Sequence, residues 1–378
     1  MKRVWMRLLA VLAALSIVAA ACADEGEGGG TTGGGATGET GAVTTGTTGG
    51  TELGGTLVIS NWDLYTPENL IPEFEAATGV DVELALHTTN EDIMGKIAAQ
   101  GGGGFDIVFV SGPFAEDLHE QGVAAEIDHS KIPNLANLYP QANQLGYDPG
   151  NTYSVPYTWG TTGICYRTDL VSQAPSSWEI FNSPPGDLTG KMTMLGTDRW
   201  LLQPALLSLG YSINTTDQAQ IDEAEEWTLQ AKENLLAFDD TEFYSKLVTG
   251  EASAVQAWDG WCEYGRAEEP KIDFVIPSEG SDVWTDTMVI LESSQNKDAA
   301  HAFIDFVLTP DIGKAVAELV LYKVPNQPAM ESLDPKFVAD FPTLGITPDE
   351  LLAQEPETSL GPEGILLWTQ AATAIKAG

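Results

Sequence analysis

Cysteine and positive charge are both scarce in this chain. Its 378 residues hold three cysteines, Cys22, Cys165 and Cys262, and no spacing among them suggests a nucleophile. Only 17 lysines and arginines stand against 55 acidic residues, for a formal net charge of -38. No basic patch exists to neutralise phosphates, which argues against a nucleic-acid partner. The acidity is compatible with a cationic ligand and with a salt-adapted surface, and charge alone does not separate the two. The four histidines, His87, His119, His129 and His301, form no metal-ligand pair; His119-Glu120 opens like a zinc-protease helix, but position 123 is Val. Neither a Gly-x-Ser-x-Gly elbow nor a Walker sequence occurs. The run Gly101–Gly104 precedes a strand, whereas a phosphate loop must follow one. The sequence thus points to no metal, no cofactor and no catalytic residues, and it reads as a binding protein rather than an enzyme. An exported enzyme stays a minor alternative, because carboxylate pairs are invisible in so acidic a chain.

What is present begins with delivery. Residues 1–22 combine a basic start (Lys2, Arg3, Arg7) with an uncharged run, Leu8–Ala21, too short for a comfortable membrane span. It ends in Ala19-Ala20-Ala21-Cys22, which resembles a bacterial lipoprotein cleavage box with Cys22 as the lipidated residue, although Ala19 stands where Leu is usual. Residues 23–54 are nearly all Gly, Thr, Ala and acid. They cannot bury enough apolar surface to order themselves, and a coil of that length reaches roughly 30 Å. The expectation is a lipid-anchored, exported protein on a disordered tether. Of the two remaining cysteines, the reading expects buried free thiols, with a disulfide as the alternative.

From Thr56 the pattern alternates strand and helix. Leu57–Ser60 form a strand that runs into Asn61-Trp62-Asp63-Leu64-Tyr65, and Thr66 then caps a helix expected over Pro67–Thr78. Strands at Val80–Leu86 and Phe105–Val110 follow, each leading to a helix. This order implies a parallel, helix-covered sheet with its ligand edge at the strands' carboxyl ends. The texture changes at Tyr153–Thr168, where the chain is read as crossing into a second domain, and it returns near Val283–Asp286. The expected division is 55–164 plus 285–330 for the first lobe, and 165–284 plus 331–378 for the second.

The positive signal is aromatics beside acids at strand ends: Trp62, Asp63 and Tyr65; Trp258, Asp259 and Trp261; Trp284 and Asp286; with Tyr322 in a turn. Ring faces of this kind can box an alkyl chain or a cation, and a desolvated carboxylate can bond an ammonium.

On NWDLYTP, FDIVFVSG, YSVPYTWGTTGI, LGYSINTTD, AWDG, VWTDTMVI and LYKVPN, taken in order from Thr56 onward, the chain resembles the extracellular solute-binding proteins of ABC importers, above all the spermidine/putrescine-binding branch. The resemblance implies an α/β, two-lobed periplasmic-binding-protein-like fold (type II), with hinged lobes closing on a ligand cleft. It implies ligand contacts from Trp62, Asp63, Tyr65, Ser111, Trp258, Trp284, Asp286 and Tyr322, and a membrane permease as partner to a monomeric binding protein. The chain departs from the branch at four positions. Thr197 and Trp200 stand where spermidine binders place two acids, Pro113 replaces a tyrosine, and Trp261 replaces an acid of diamine-selective relatives. Asp63, Asp259 or Asp198 could then anchor the far end of a polyamine. A polyamine is the first reading, and another organic cation, a monoamine or quaternary ammonium, is the second.

Overall fold

The computed structural model describes residues 53–377. The signal segment with Cys22, and all but the last two residues of the tether, lie outside the described residues.

Strand β1 (Thr56–Trp62) is followed by α1 (Leu70–Thr78), β2 (Asp81–His87), α2 (Asn90–Ala99), β3 (Ile107–Ser111) and α3 (Gly112–Glu120). β1 lies between β2 and β3 and is parallel to both. This is the right-handed, helix-covered arrangement that the alternating pattern dictates. Helix α1 starts at Leu70, not at Pro67, and Thr66 does not cap it. The Thr66 hydroxyl instead accepts from Asn61 Nδ2 at 3.1 Å, tying down the turn after β1. Leu64 takes a left-handed conformation there (φ 58°), which turns the chain back so that Tyr65 faces the sheet edge.

The chain then runs through short 3-10 turns into β4 (Val155–Gly160) and β5 (Thr162–Arg167). Only Thr161 separates them, yet they belong to different sheets. The second lobe continues with α4 (Glu179–Asn182), β6 (Met192–Met194), α5 (Asp198–Leu209), α6 (Gln218–Lys232), β7 (Ala237–Phe238), α7 (Phe243–Thr249), β8 (Ala254–Trp258), α8 (Asp259–Glu268) and β9 (Ile272–Val275). Its sheet has the order β7-β6-β8-β5-β9. The return is a single nine-residue strand, β10 (Asp282–Ile290), fully buried and antiparallel to both β3 and β4. Helices α9 (Lys297–Val307), α10 (Pro310–Val320), α11 (Gln327–Glu331), α12 (Pro335–Asp340) and α13 (Pro348–Leu352) follow, then β11 (Glu355–Pro356), parallel to the start of β10, and α14 (Gly361–Ala377).

Each lobe has one large hydrophobic core and a smaller cluster beside it. The large core of the first lobe gathers Leu57, Ile59, Phe74, Phe109, Trp159, Met288 and Phe303; that of the second gathers Trp178, Met192, Leu202, Leu206, Trp227 and Trp368. The division differs from the sequence expectation in its last part. Leu333, Leu344 and Leu351 are buried in the first core, and β11 extends the first sheet, so residues 331–356 pack on the first lobe. Only α14 crosses back, through Trp368, Ala372 and Ile375.

Cys165 and Cys262 are joined in a disulfide, which corrects the expectation of free thiols. Their separation of 97 residues hides the pairing in the sequence. In the fold, β5 is hydrogen-bonded to β8, and α8 follows β8 directly, so the two side chains meet in one core with Ala257 and Ile272. No helix among the described residues is long and apolar enough to cross a membrane.

Candidate functional site

The first-lobe wall is built where the ends of β1, β3 and β4 meet the middle of β10. Pairing of Asp286 with Ser111 on one side and Thr158 on the other sets three polar side chains in one row. Asp286 Oδ1 accepts from Ser111 Oγ at 2.8 Å; Oδ2 accepts from Tyr65 OH at 3.0 Å and from Thr158 Oγ1 at 3.5 Å. Ser111 is itself clamped by Asn90, whose amide donates to its Oγ and accepts from its backbone N–H, both at 3.0 Å. Tyr157 OH donates to the Tyr65 carbonyl at 2.5 Å, fixing the turn that carries the phenol.

Asp286 is only 9 % exposed, and burial pushes its carboxyl up to about 6 against the downward pull of the Ser111, Tyr65 and Thr158 hydroxyls. Burial, then the neighbouring Asp286, raises the Tyr65 phenol, so it stays a donor.

Aromatic rings surround this carboxylate. Trp62 meets Tyr65 edge-on at 5.6 Å, Tyr65 lies 6.3 Å from Tyr322, and Trp284 meets Tyr322 edge-on at 4.8 Å. The second lobe supplies another set. Trp200 packs its edge on Trp258 at 5.0 Å, and Trp258 lies 6.3 Å from Trp261, with Phe243 behind both. The two sets meet, because Trp258 and Trp261 pack against the first core as well as their own. Glycine at 160 and 260 makes this approach feasible. A methyl on Gly160 would fall 2.2 Å from Trp284 Cζ2, and one on Gly260 would fall 2.4 Å from the Tyr322 ring.

Of the residues singled out from sequence, Trp62, Tyr65, Ser111, Trp284, Asp286 and Tyr322 stand in the first set, and Trp200, Trp258 and Trp261 in the second. Thr197 stands apart, half-buried at the start of α5, its backbone N–H bonded to Asp240 at 3.2 Å. Asp63 is exposed and accepts from its own neighbour, Leu64 N, at 2.9 Å. Asp198 pairs with Lys376 at 3.1 Å. Asp259 is fully buried and ion-paired with Lys323. Burial pushes its carboxyl up, and the Lys323 ammonium pulls it back down.

The structure adds residues that sequence reading missed. Asp282, 1 % exposed, accepts from Thr162 N (2.7 Å), Thr162 Oγ1 (3.0 Å) and Trp200 Nε1 (2.9 Å), tying the second-lobe tryptophan to the crossing strand. Glu357, just beyond β11, is buried beside it. Burial pushes Glu357 up to about 8, with Arg199 drawing it down and Asp282 and Asp286 pushing it further up. Glu357 also lines a cavity of about 550 Å³ with Gly112, Pro113, Tyr147 and Thr285. No sequence signal marks Glu357, one acid among many in the tail; Asp282 was legible only as the residue before VWTD.

The model of the bacterial extracellular solute-binding protein family matches residues 69–344, most of the described chain. The chain belongs to that family. Its similarity to the spermidine/putrescine-binding periplasmic protein of Escherichia coli K12 is 33 % identity over 286 residues, covering 75 % of this chain and 82 % of that protein. The spermidine/putrescine-binding periplasmic protein 1 of Haemophilus influenzae is 29 % identical over 324 residues, covering 85 % and 89 %. Among solved structures, the PotD-type lipoprotein of Treponema pallidum superposes with a TM-score of 0.76 at 28 % identity, covering 85 % of this chain and 99 % of that one. The spermidine/putrescine substrate-binding protein of Streptococcus pneumoniae gives 0.74 at 28 % identity, covering 85 % and 98 %. The solute-binding fold of these relatives has two lobes, and the two sheets joined at Thr161 are the two lobes of this member.

Proposed function

We propose that this solute-binding protein captures a polyamine of the putrescine/spermidine class and delivers it to an ABC permease. The observation that carries the reading is the buried Asp286 carboxylate, held by three hydroxyls and surrounded by tryptophan and tyrosine rings. A protonated amine gains a charge-assisted hydrogen bond to such a carboxylate, and the rings cover its methylenes. The proposed contacts are Trp62, Tyr65, Ser111, Trp258, Trp261, Trp284, Asp286 and Tyr322, with Trp200 supporting Trp258 and with Glu357 at the second end. The names of the relatives support the choice of ligand. Capture follows from closure: a ligand touching both walls favours the closed lobes. Export through residues 1–22, anchoring by lipid on Cys22, and action as a monomer complete the proposal.

A second reading, a cation with fewer amino groups, is favoured by the pairing of Asp198 and Asp259 with lysines. Calorimetry of the purified protein with putrescine, spermidine, spermine, agmatine, choline and betaine decides between them. Binding of putrescine or spermidine with choline and betaine inert supports the polyamine; the reverse pattern overturns it in favour of a quaternary ammonium.

A further inference from the structure

Asp259 and Lys323 belong to different lobes, and each follows a wall residue in sequence: Asp259 comes after Trp258 and Lys323 after Tyr322. Asp259 is 0 % and Lys323 4 % exposed. The Lys323 ammonium bonds the Asp259 carboxylate and also reaches the Thr343 carbonyl at 3.3 Å. Burying two charges is strongly unfavourable unless each is in close contact with the other. A pair so deep in the protein therefore needs both partners.

Its location is the telling point. A methyl placed on Gly160 would fall 2.6 Å from Asp259 Oδ1 and 2.2 Å from the Trp284 ring, so carboxylate and indole edge converge on one spot. The Gly260 backbone, next to Asp259, lies against the Tyr322 ring. Asp259 thus stands directly behind the edge-on pair Trp284–Tyr322. In chemistry it is a buried acid beside an aromatic box, which is how an amine-binding carboxylate looks. Its cation is supplied by the chain.

We propose that Lys323 is a resident ammonium of the binding site, filling at Asp259 the position that a further amino group of a ligand would otherwise take. The inference rests on the amine-binding reading above and adds a specificity to it. With Asp259 satisfied, the proposed ligand is left two buried carboxyls: Asp286, and Glu357, which lines a cavity with Thr285, the residue before Asp286. A diamine matches that count, and a triamine carries one ammonium too many.

The test removes the resident amine. Lys323→Ala leaves Asp259 buried beside a space of ammonium size. In this variant n-propylamine is expected to raise the thermal midpoint saturably, and to leave the wild-type midpoint unmoved. The ratio of spermidine to putrescine affinity is expected to rise about tenfold or more, the worth of one charge-assisted bond. A folded Lys323→Ala with neither amine rescue nor a changed ratio overturns the proposal. Should that variant not fold, Asp259→Asn carries the test: it leaves Lys323 charged near the site, and putrescine binding is expected to weaken about tenfold. The double variant Asp259→Asn/Lys323→Met should regain most of that loss, and a single variant that binds putrescine as tightly as wild type overturns the proposal equally. Propylamine rescue is read without any natural ligand. A wild type that binds no polyamine therefore defeats the functional reading separately from the role of Lys323.

Discussion

Tyr65 donates its hydroxyl to Asp286 at 3.0 Å across 221 residues of sequence, and this bond closes the loop after β1 onto the strand that returns from the second lobe. Tyr65→Phe keeps the ring and removes the donor. Amine affinity should fall about three- to tenfold, the worth of a hydrogen bond to a charged group lost in part to solvent and neighbours. Thermal stability should change little, and calorimetry beside a melting curve checks both.

Asp286→Asn removes the charge and keeps the shape, its amide oxygen accepting from hydroxyls on one side and its NH2 donating on the other. Amine binding is expected to weaken by about a hundredfold or more, since charge-assisted bonds are worth roughly twice neutral ones. The folded state should not suffer, because ionising a carboxyl that burial has pushed up to about 6 opposes folding. Loss of the fold instead of the affinity would assign Asp286 to structure.

Binding should tighten with rising pH in two steps. Asp286 titrates near about 6 and Glu357 near about 8, both above their ordinary values, and a cation prefers each group ionised. The ligand-free protein behaves oppositely. Between the unfolded values and these raised ones the native state binds more protons, so stability falls as pH rises through that window and is level above it. Titrations from pH 5 to 9 should lose the lower step in Asp286→Asn and the upper step in Glu357→Gln.

Trp258→Ala should weaken binding about tenfold or more through lost ring contact, with a stability loss of about 2–4 kcal/mol because Trp258 also packs on the first core and on the cluster around Phe243 and Cys262. Unchanged affinity for the identified ligand would remove Trp258 from the wall.

Gly160→Ala puts a methyl where Trp284 Cζ2 stands. Overpacking of this kind costs about 1–3 kcal/mol, and here the movement falls on Trp284, a proposed ligand contact. Amine affinity should therefore drop more than the melting point suggests, whereas Gly186→Ala, where a methyl meets open space, should do neither.

The strand ends were legible because a β-rich run that stops at a Trp-Asp pair has a physical meaning: burial ends and chemistry begins. Trp62 and Trp258 are the last residues of β1 and β8, whereas Trp284 and Asp286 lie inside the fully buried β10, which corrects the expectation of a strand end there. The start of α1 was misread because Thr66-Pro67 carries helix-start chemistry, yet Thr66 spends its hydroxyl on Asn61. Glu357 was out of reach, since β11 is two residues long and shows no period. The pairing of Asp259 with Lys323, 64 residues apart, depends on how two lobes fold against each other, and that of Cys165 with Cys262 on which strands pair within the second lobe; no local pattern encodes either.

The bond between Cys165 and Cys262 ties the strand that leaves the crossing to the helix that carries Trp261. Disulfides form in oxidising compartments and are opened by cytosolic thiols. The tie that holds the Trp261 helix therefore closes where thiols are oxidised, so the geometry of this wall depends on the compartment as well as on the sequence.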